Sequence, residues 1–193
     1  MSSSDALRLA GTMALALSAG GCLQPLYSEA AHPGLVEDMR AIEIAQVNPA
    51  PDKGAGKSDA LGINPELDRQ DRIGHYLRND LIFNLNGTGT PGTPKYKLAI
   101  VTKENTTTPT IESQIGAASA ATLTVTAKYD LSPYAGGKPI ISSEATSSAV
   151  YDLSVNRFSN LRAARDAEIR LAKSLADEME LRIAAALADR QAH

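Results

Sequence analysis

Few residues in this chain of 193 amino acids could do chemistry. It holds one cysteine, three histidines and no tryptophan. A lone cysteine closes no internal disulfide and builds no cysteine-cluster metal site. His32, His75 and His193 are scattered, with no HExxH and no paired spacing of the kind that holds a metal ion. No serine stands in a G-x-S-x-G turn, the arrangement that presents a nucleophile at a strand end. Asp68 and Asp71 lie three apart, and paired carboxylates can do acid–base work. Arg69 and Arg72 share that surface, so the cluster reads as a solvated charged face. Gly54-Ala55-Gly56-Lys57-Ser58 resembles part of a phosphate-cradling loop. Pro51 stands where that loop needs a small residue, and Gly62 and Pro65 interrupt the helix that should follow. It reads as loop composition.

Composition narrows the classes further. Lys+Arg is 19 against 22 for Asp+Glu, a formal net charge of -3. That is not the basic footprint of a nucleic-acid binder, and the 4% of aromatics do not interleave with the cations. The hydrophobic fraction of 43% suits a globular chain, and the length suits one domain.

Cys22 acquires meaning from what precedes it. Arg8 is followed by the apolar run Leu9 to Leu17, then by Ser18, Ala19, Gly20 and Gly21. A charged start, an apolar core and a small-residue exit make up a secretory signal. The run is shorter than the roughly 20 apolar residues needed to cross a bilayer. The thiol directly after small residues resembles a bacterial lipobox. In such a site the cysteine receives a diacylglycerol and an N-acyl chain and becomes the mature N-terminus. Each buried methylene of such a chain adds about 0.8 kcal/mol of membrane affinity. The other reading of Cys22 is a buried free thiol after an ordinary apolar helix. Ala19 occupies a position usually held by leucine, so Leu15 or Leu17 could set a slightly different register. Loss of residues 1–21 removes Asp5 and Arg8 together and leaves the charge at -3. Leu23 in place of aspartate after the cysteine favours the outer membrane by the lipoprotein sorting rules. The division expected is therefore a signal at 1–21, a lipidated tether at 22–36 and one folded domain at 37–190.

The elements of that domain follow from periodicity. Met39–Val47 alternates as a first strand, and the Pro/Gly/Asp-rich residues 48–64 form a polar loop. Asn64-Pro65 starts a helix over about 66–85, with Ile73, Leu77, Leu81 and Leu85 in one stripe and Asn86-Gly87 as its stop. Tyr96, Leu98 and Ile100 alternate in a strand that fades by Pro109; residues 110–118 are either loop or its continuation. The clearest strand follows. Leu123, Val125, Ala127, Tyr129 and Leu131 point one way, and Thr122, Thr124, Thr126, Lys128 and Asp130 the other. After the turn Pro133–Gly137, residues 139–153 pair back as a hairpin, with Ala145, Ala149, Tyr151 and Leu153 on one face. A long helix over about 160–188 carries Leu161, Ala164, Ala172, Leu175, Met179, Ile183 and Leu187 on its apolar face. The fold expected is α+β. It is a two-layer sandwich of two amphipathic helices on one face of a mostly antiparallel four-stranded sheet, in the order β-α-β-β-β-α. The threonine face is either a plain solvated surface or one that docks into a polar partner.

Two stretches carry a family resemblance. Gly21-Cys22-Leu23-Gln24-Pro25-Leu26-Tyr27 resembles the GC-x-x-x-P-L-Y start of the LptE lipopolysaccharide-assembly lipoproteins, especially those of Alphaproteobacteria. Tyr151, Asn156-Arg157-Phe158-Ser159, Arg165-Asp166-Ala167-Glu168, Leu175-Ala176-Asp177 and Leu181-Arg182-Ile183 resemble the last helix of that family, and the element order agrees. The resemblance implies a non-enzymatic outer-membrane lipoprotein. It would sit in the lumen of the LptD barrel, aid the barrel's assembly, plug it and bind lipopolysaccharide in transport to the cell surface. No cofactor is implied beyond the acyl chains on Cys22, and no nucleic acid. A barrel lumen is polar, which suits Thr122, Thr124 and Thr126 as the barrel-facing surface. Lipopolysaccharide is anionic, so cations beside the sheet would meet it. Lys128 on the wet face and Lys138 past the turn are the first choices, with Lys95, Lys97 and Lys103 behind them. The alternative is a periplasmic lipid-binding lipoprotein serving a lipid transporter. A periplasmic hydrolase would need a nucleophile beside a base, which this sequence does not show.

Overall fold

The computed structural model describes residues 32–50, 65–87, 92–108 and 119–192. Cys22, the signal and the Gly54–Ser58 segment lie outside them. The architecture is α+β. Helix α1 spans Leu35–Arg40, followed by two short strands, β1 (Ile42–Ile44) and β2 (Asn48–Pro49). Then come α2 (Pro65–Asn86), β3 (Tyr96–Thr107), β4 (Ala120–Pro133), β5 (Ile141–Asp152) and α3 (Arg157–Ala192). Strands β3, β4 and β5 form an antiparallel meander, and β1 and β2 both lie parallel to β3 at its other edge. The sheet is thus mixed, with a parallel edge reached by the crossover through α2.

Alternation on β4 does what its pattern dictates. Leu123, Val125, Ala127, Tyr129 and Leu131 are buried beneath the helices. Their β3 partners Leu98 and Ile100 and their β5 partners Ala145 and Ala149 are buried on the same face. Onto that face α2 lays Ile73, Leu77, Leu81 and Leu85, and α3 lays Leu171, Leu175, Met179, Ile183 and Leu187. Removing each of these large side chains from water stabilises the fold by about 2 kcal/mol. Gly87 ends α2 at φ 58, in the left-handed region that lets the chain leave the helix without a Cβ clash.

Two details differ from the sequence expectation. The stretch read as one strand over 39–47 divides into the end of α1 and the short strand β1, and β2 falls just past it, at the start of what was expected to be the loop 48–64. Leu35 and Met39, one turn apart, share a face of α1, which packs against α2 and α3 and buries both. There are therefore three helices among the described residues rather than two. Leu161, read as part of the apolar face of α3, is 56% exposed. Burial of large apolar side chains on that helix begins only at Leu171, after Ala167.

Candidate functional surface and a buried charge cluster

The outer face of the sheet is built in cross-strand rows. Register places Lys103, Thr126 and Thr146 in one row, Asn105, Thr124 and Ser148 in the next, and Thr107, Thr122 and Val150 beyond. Thr122, Thr124 and Thr126 are half-buried by these flanking side chains, although no described helix covers them. The hydroxyls of Thr126 and Thr146 lie 3.1 Å apart in a hydrogen bond, and Ser142 donates to Asp130. The face is a sheet of short hydroxyls with few charges, able to exchange hydrogen bonds with a polar wall at little desolvation cost.

The structure separates the two lysines singled out from sequence. Lys128 stands on this face and pairs across the strands with Glu144 at 3.7 Å, both side chains mostly exposed. Such a pair is worth at most about 1 kcal/mol, so the ammonium remains available to an anion. Lys97 and Lys103 project from β3 on the same side. Lys138 lies past the β4 turn and lines a shallow recess with Pro133, Ala186 and Arg190, toward the end of α3. Lys95 is held by Asp38 at 2.8 Å, and that hydrogen bond keeps its ammonium above the ordinary value.

Arg69 and Arg72 do not form the solvated face expected of them. Both turn inward. Arg69 meets Glu104 of β3 at 2.7 Å and Glu168 of α3 at 3.8 Å. Arg72 grips Glu168 with two nitrogens, at 3.1 and 3.2 Å. The Glu168 side chain is 1% exposed and that of Glu104 6%. Burial pushes the Glu104 carboxyl above its ordinary 4.5, and Arg69 only partly offsets this. The sequence did carry a signal for the cluster. Glu104 continues the inward alternation Leu98, Ile100, Thr102, and Glu168 stands in the stripe between Ala164 and Ala172. Two acids at core positions require cations opposite. The cluster fastens α2, β3 and α3 together.

His75 lies in an open cleft of about 340 Å³ with Gln46, Asp71, Gly74 and Arg78, where Gly74 lets α2 approach Val47 closely. Arg78 donates there to the Ile44 carbonyl at 3.3 Å. Among the described residues no group of three His, Cys, Asp or Glu side chains is placed to hold a metal ion, and no helix is long and apolar enough to cross a membrane.

Comparison with known proteins decides the family. The family model described as LptE, lipopolysaccharide-assembly, matches residues 59–183. The chain belongs to the LptE family. That match takes in α2, the three long strands and most of α3. Among solved structures, a protein of Caulobacter crescentus CB15 described as a lipoprotein is 21% identical. The alignment covers 80% of this chain and 96% of that one with a TM-score of 0.54, which shows a shared fold. The rare lipoprotein B of Shewanella oneidensis is 11% identical, over 78% of this chain and 100% of its own, with a TM-score of 0.44. No curated protein matches the chain. The LptE family assignment agrees with the resemblance in the last helix and connects the chain with lipopolysaccharide transport.

Proposed function

We propose that this chain is a non-enzymatic lipoprotein of the outer membrane that partners the LptD barrel in lipopolysaccharide transport, aiding the barrel's assembly and plugging its lumen. The observation that carries the reading is the family match over 59–183, joined to a hydroxyl-lined sheet face that no described helix covers. Acylation of Cys22 tethers the chain to the periplasmic side of the membrane. Thr122, Thr124 and Thr126 meet the polar barrel wall. Lys128, flanked by Lys97 and Lys103, offers cations to lipopolysaccharide on that face, and Lys138 does so separately from its turn.

Detergent extraction of outer membranes and purification through this chain should bring down a large β-barrel protein; recovery of the chain alone would sink the reading. Lipid labelling of wild type and Cys22→Ala tests the anchor, with label expected only on wild type. Lys128→Glu with Lys138→Glu should weaken lipopolysaccharide binding, and unchanged binding removes both lysines.

A further inference from the structure

The first turns of α3 depart from the rest of the helix. Val155, just before it, is fully exposed, and Phe158 and Leu161 are 78% and 56% exposed. Arg157, Arg162 and Arg165 stand among them, all three exposed. None of the three has an ion pair among the described residues. Further along, Arg170, Lys173 and Arg182 are matched with Asp166, Asp177 and Glu178. Phe158, Leu161, Arg162 and Arg165 line one recess of about 380 Å³ on a single side of the helix.

This segment is held firmly. Asn156 Oδ1 accepts from the amides of Phe158 at 3.0 Å and Ser159 at 3.4 Å. Asn160 and Ser154 exchange further bonds, the Ser154 amide donating to Asn160 Oδ1 at 2.7 Å. Yet the first turn has no acid, although the helix dipole favours acids there and disfavours arginine. Three uncompensated cations beside exposed phenylalanine and leucine cost stability in water. The cost is offset where a surface is anionic on top and apolar just beneath. A bilayer containing anionic lipid is such a surface: phosphates accept bidentate bonds from guanidinium groups, and the acyl boundary lies about 5–10 Å below for the rings and branched chains.

We propose that residues 155–165 are a membrane-surface contact, with the arginines on lipid phosphates and Phe158 and Leu161 dipped into the acyl boundary. This contact rests neither on the acylation of Cys22 nor on the barrel partnership.

The absence of tryptophan makes the test direct. Phe158→Trp places a single reporter in the full chain. With vesicles of phosphatidylcholine and phosphatidylglycerol in equal parts, its emission should move to shorter wavelength and be quenched by brominated acyl chains. Phe83→Trp, on an exposed position of α2, should not respond. Each arginine changed to glutamine should weaken vesicle binding about fivefold. Arg162→Glu with Arg165→Glu should abolish the emission shift; neither side chain belongs to the buried core, and an unchanged circular dichroism spectrum checks that the fold is kept. No emission shift from the Phe158→Trp chain, an equal shift with phosphatidylcholine alone, or an equal response from Phe83→Trp would overturn the proposal. So would a shift that appears without vesicles and grows with protein concentration, which would assign the patch to a second copy of the chain.

Discussion

Glu168 shows how one residue can hold several elements. Its carboxylate is almost wholly buried and depends on Arg72 and Arg69 for compensation. Arg72→Ala leaves that charge with the more distant Arg69 alone, and should lower the unfolding free energy by about 3 kcal/mol in urea titration. Glu104 makes a prediction in pH. Its folded pKa is raised, chiefly by burial. Below its unfolded value of 4.5 the carboxyl is neutral in both states and its burial carries no charge cost. As pH rises through the higher folded value, the group ionises while buried and that part of the stability is lost. The stability advantage of Glu104→Gln over wild type should therefore grow from pH 4.5 upward; a difference independent of pH would refute it. Thr102 lies one inward position before Glu104 on β3, with a buried hydroxyl that has no hydrogen-bond partner among the described residues. Thr102→Val keeps the shape and removes the unpaired group, so it should raise stability by about 1 kcal/mol.

At the scale of elements, β5 closes the meander and, among the described residues, pairs only with β4, which leaves its other edge open there. Open edges recruit other strands unless something blocks them. Two arginines of α3 do so. Arg170 donates to the Val150 carbonyl at 3.2 Å and Arg182 to the Glu144 carbonyl at 2.6 Å. Replacing both by alanine should leave the core intact and increase self-association, read as a concentration-dependent sedimentation coefficient; an unchanged monomer would show that the edge needs no guard. The same helix supplies a large share of the core. Leu175 is fully buried in it, and Leu175→Ala should cost about 3 kcal/mol through lost transfer energy and the cavity left behind.

At the scale of the whole molecule, the described residues share one core. Side chains from α1, β1, α2, β3, β4, β5 and α3 belong to a single buried cluster, from Leu35 to Ala188. Unfolding any part exposes the rest, so heat denaturation should be one transition with equal calorimetric and van't Hoff enthalpies. Two separated transitions would contradict a single cooperative unit. One face of the sheet carries this core, and the other is left to hydroxyls and a few charges.

Much of this was legible in the order of residues. Period-two alternation fixed which face of β4 is buried, because neighbouring side chains on a strand must point to opposite sides. The four-residue recurrence of Ile73, Leu77, Leu81 and Leu85 likewise set the inner face of α2. Both are local properties, and they hold whatever the chain packs against. The fate of Arg69 and Arg72 is not local. Whether a helix arginine faces water depends on what lies opposite, and Glu104 and Glu168 come from elements 35 and 96 residues away. The parallel pairing of β1 and β2 with β3, the helical start at Leu35 and the exposure of Leu161 are of the same kind. Each is decided by where a neighbouring layer begins or ends. The sequence by itself determined the elements and their apolar faces. Only the tertiary structure decided which charges are buried and which apolar residues are left uncovered, because desolvation depends on the neighbour that arrives from elsewhere in the chain.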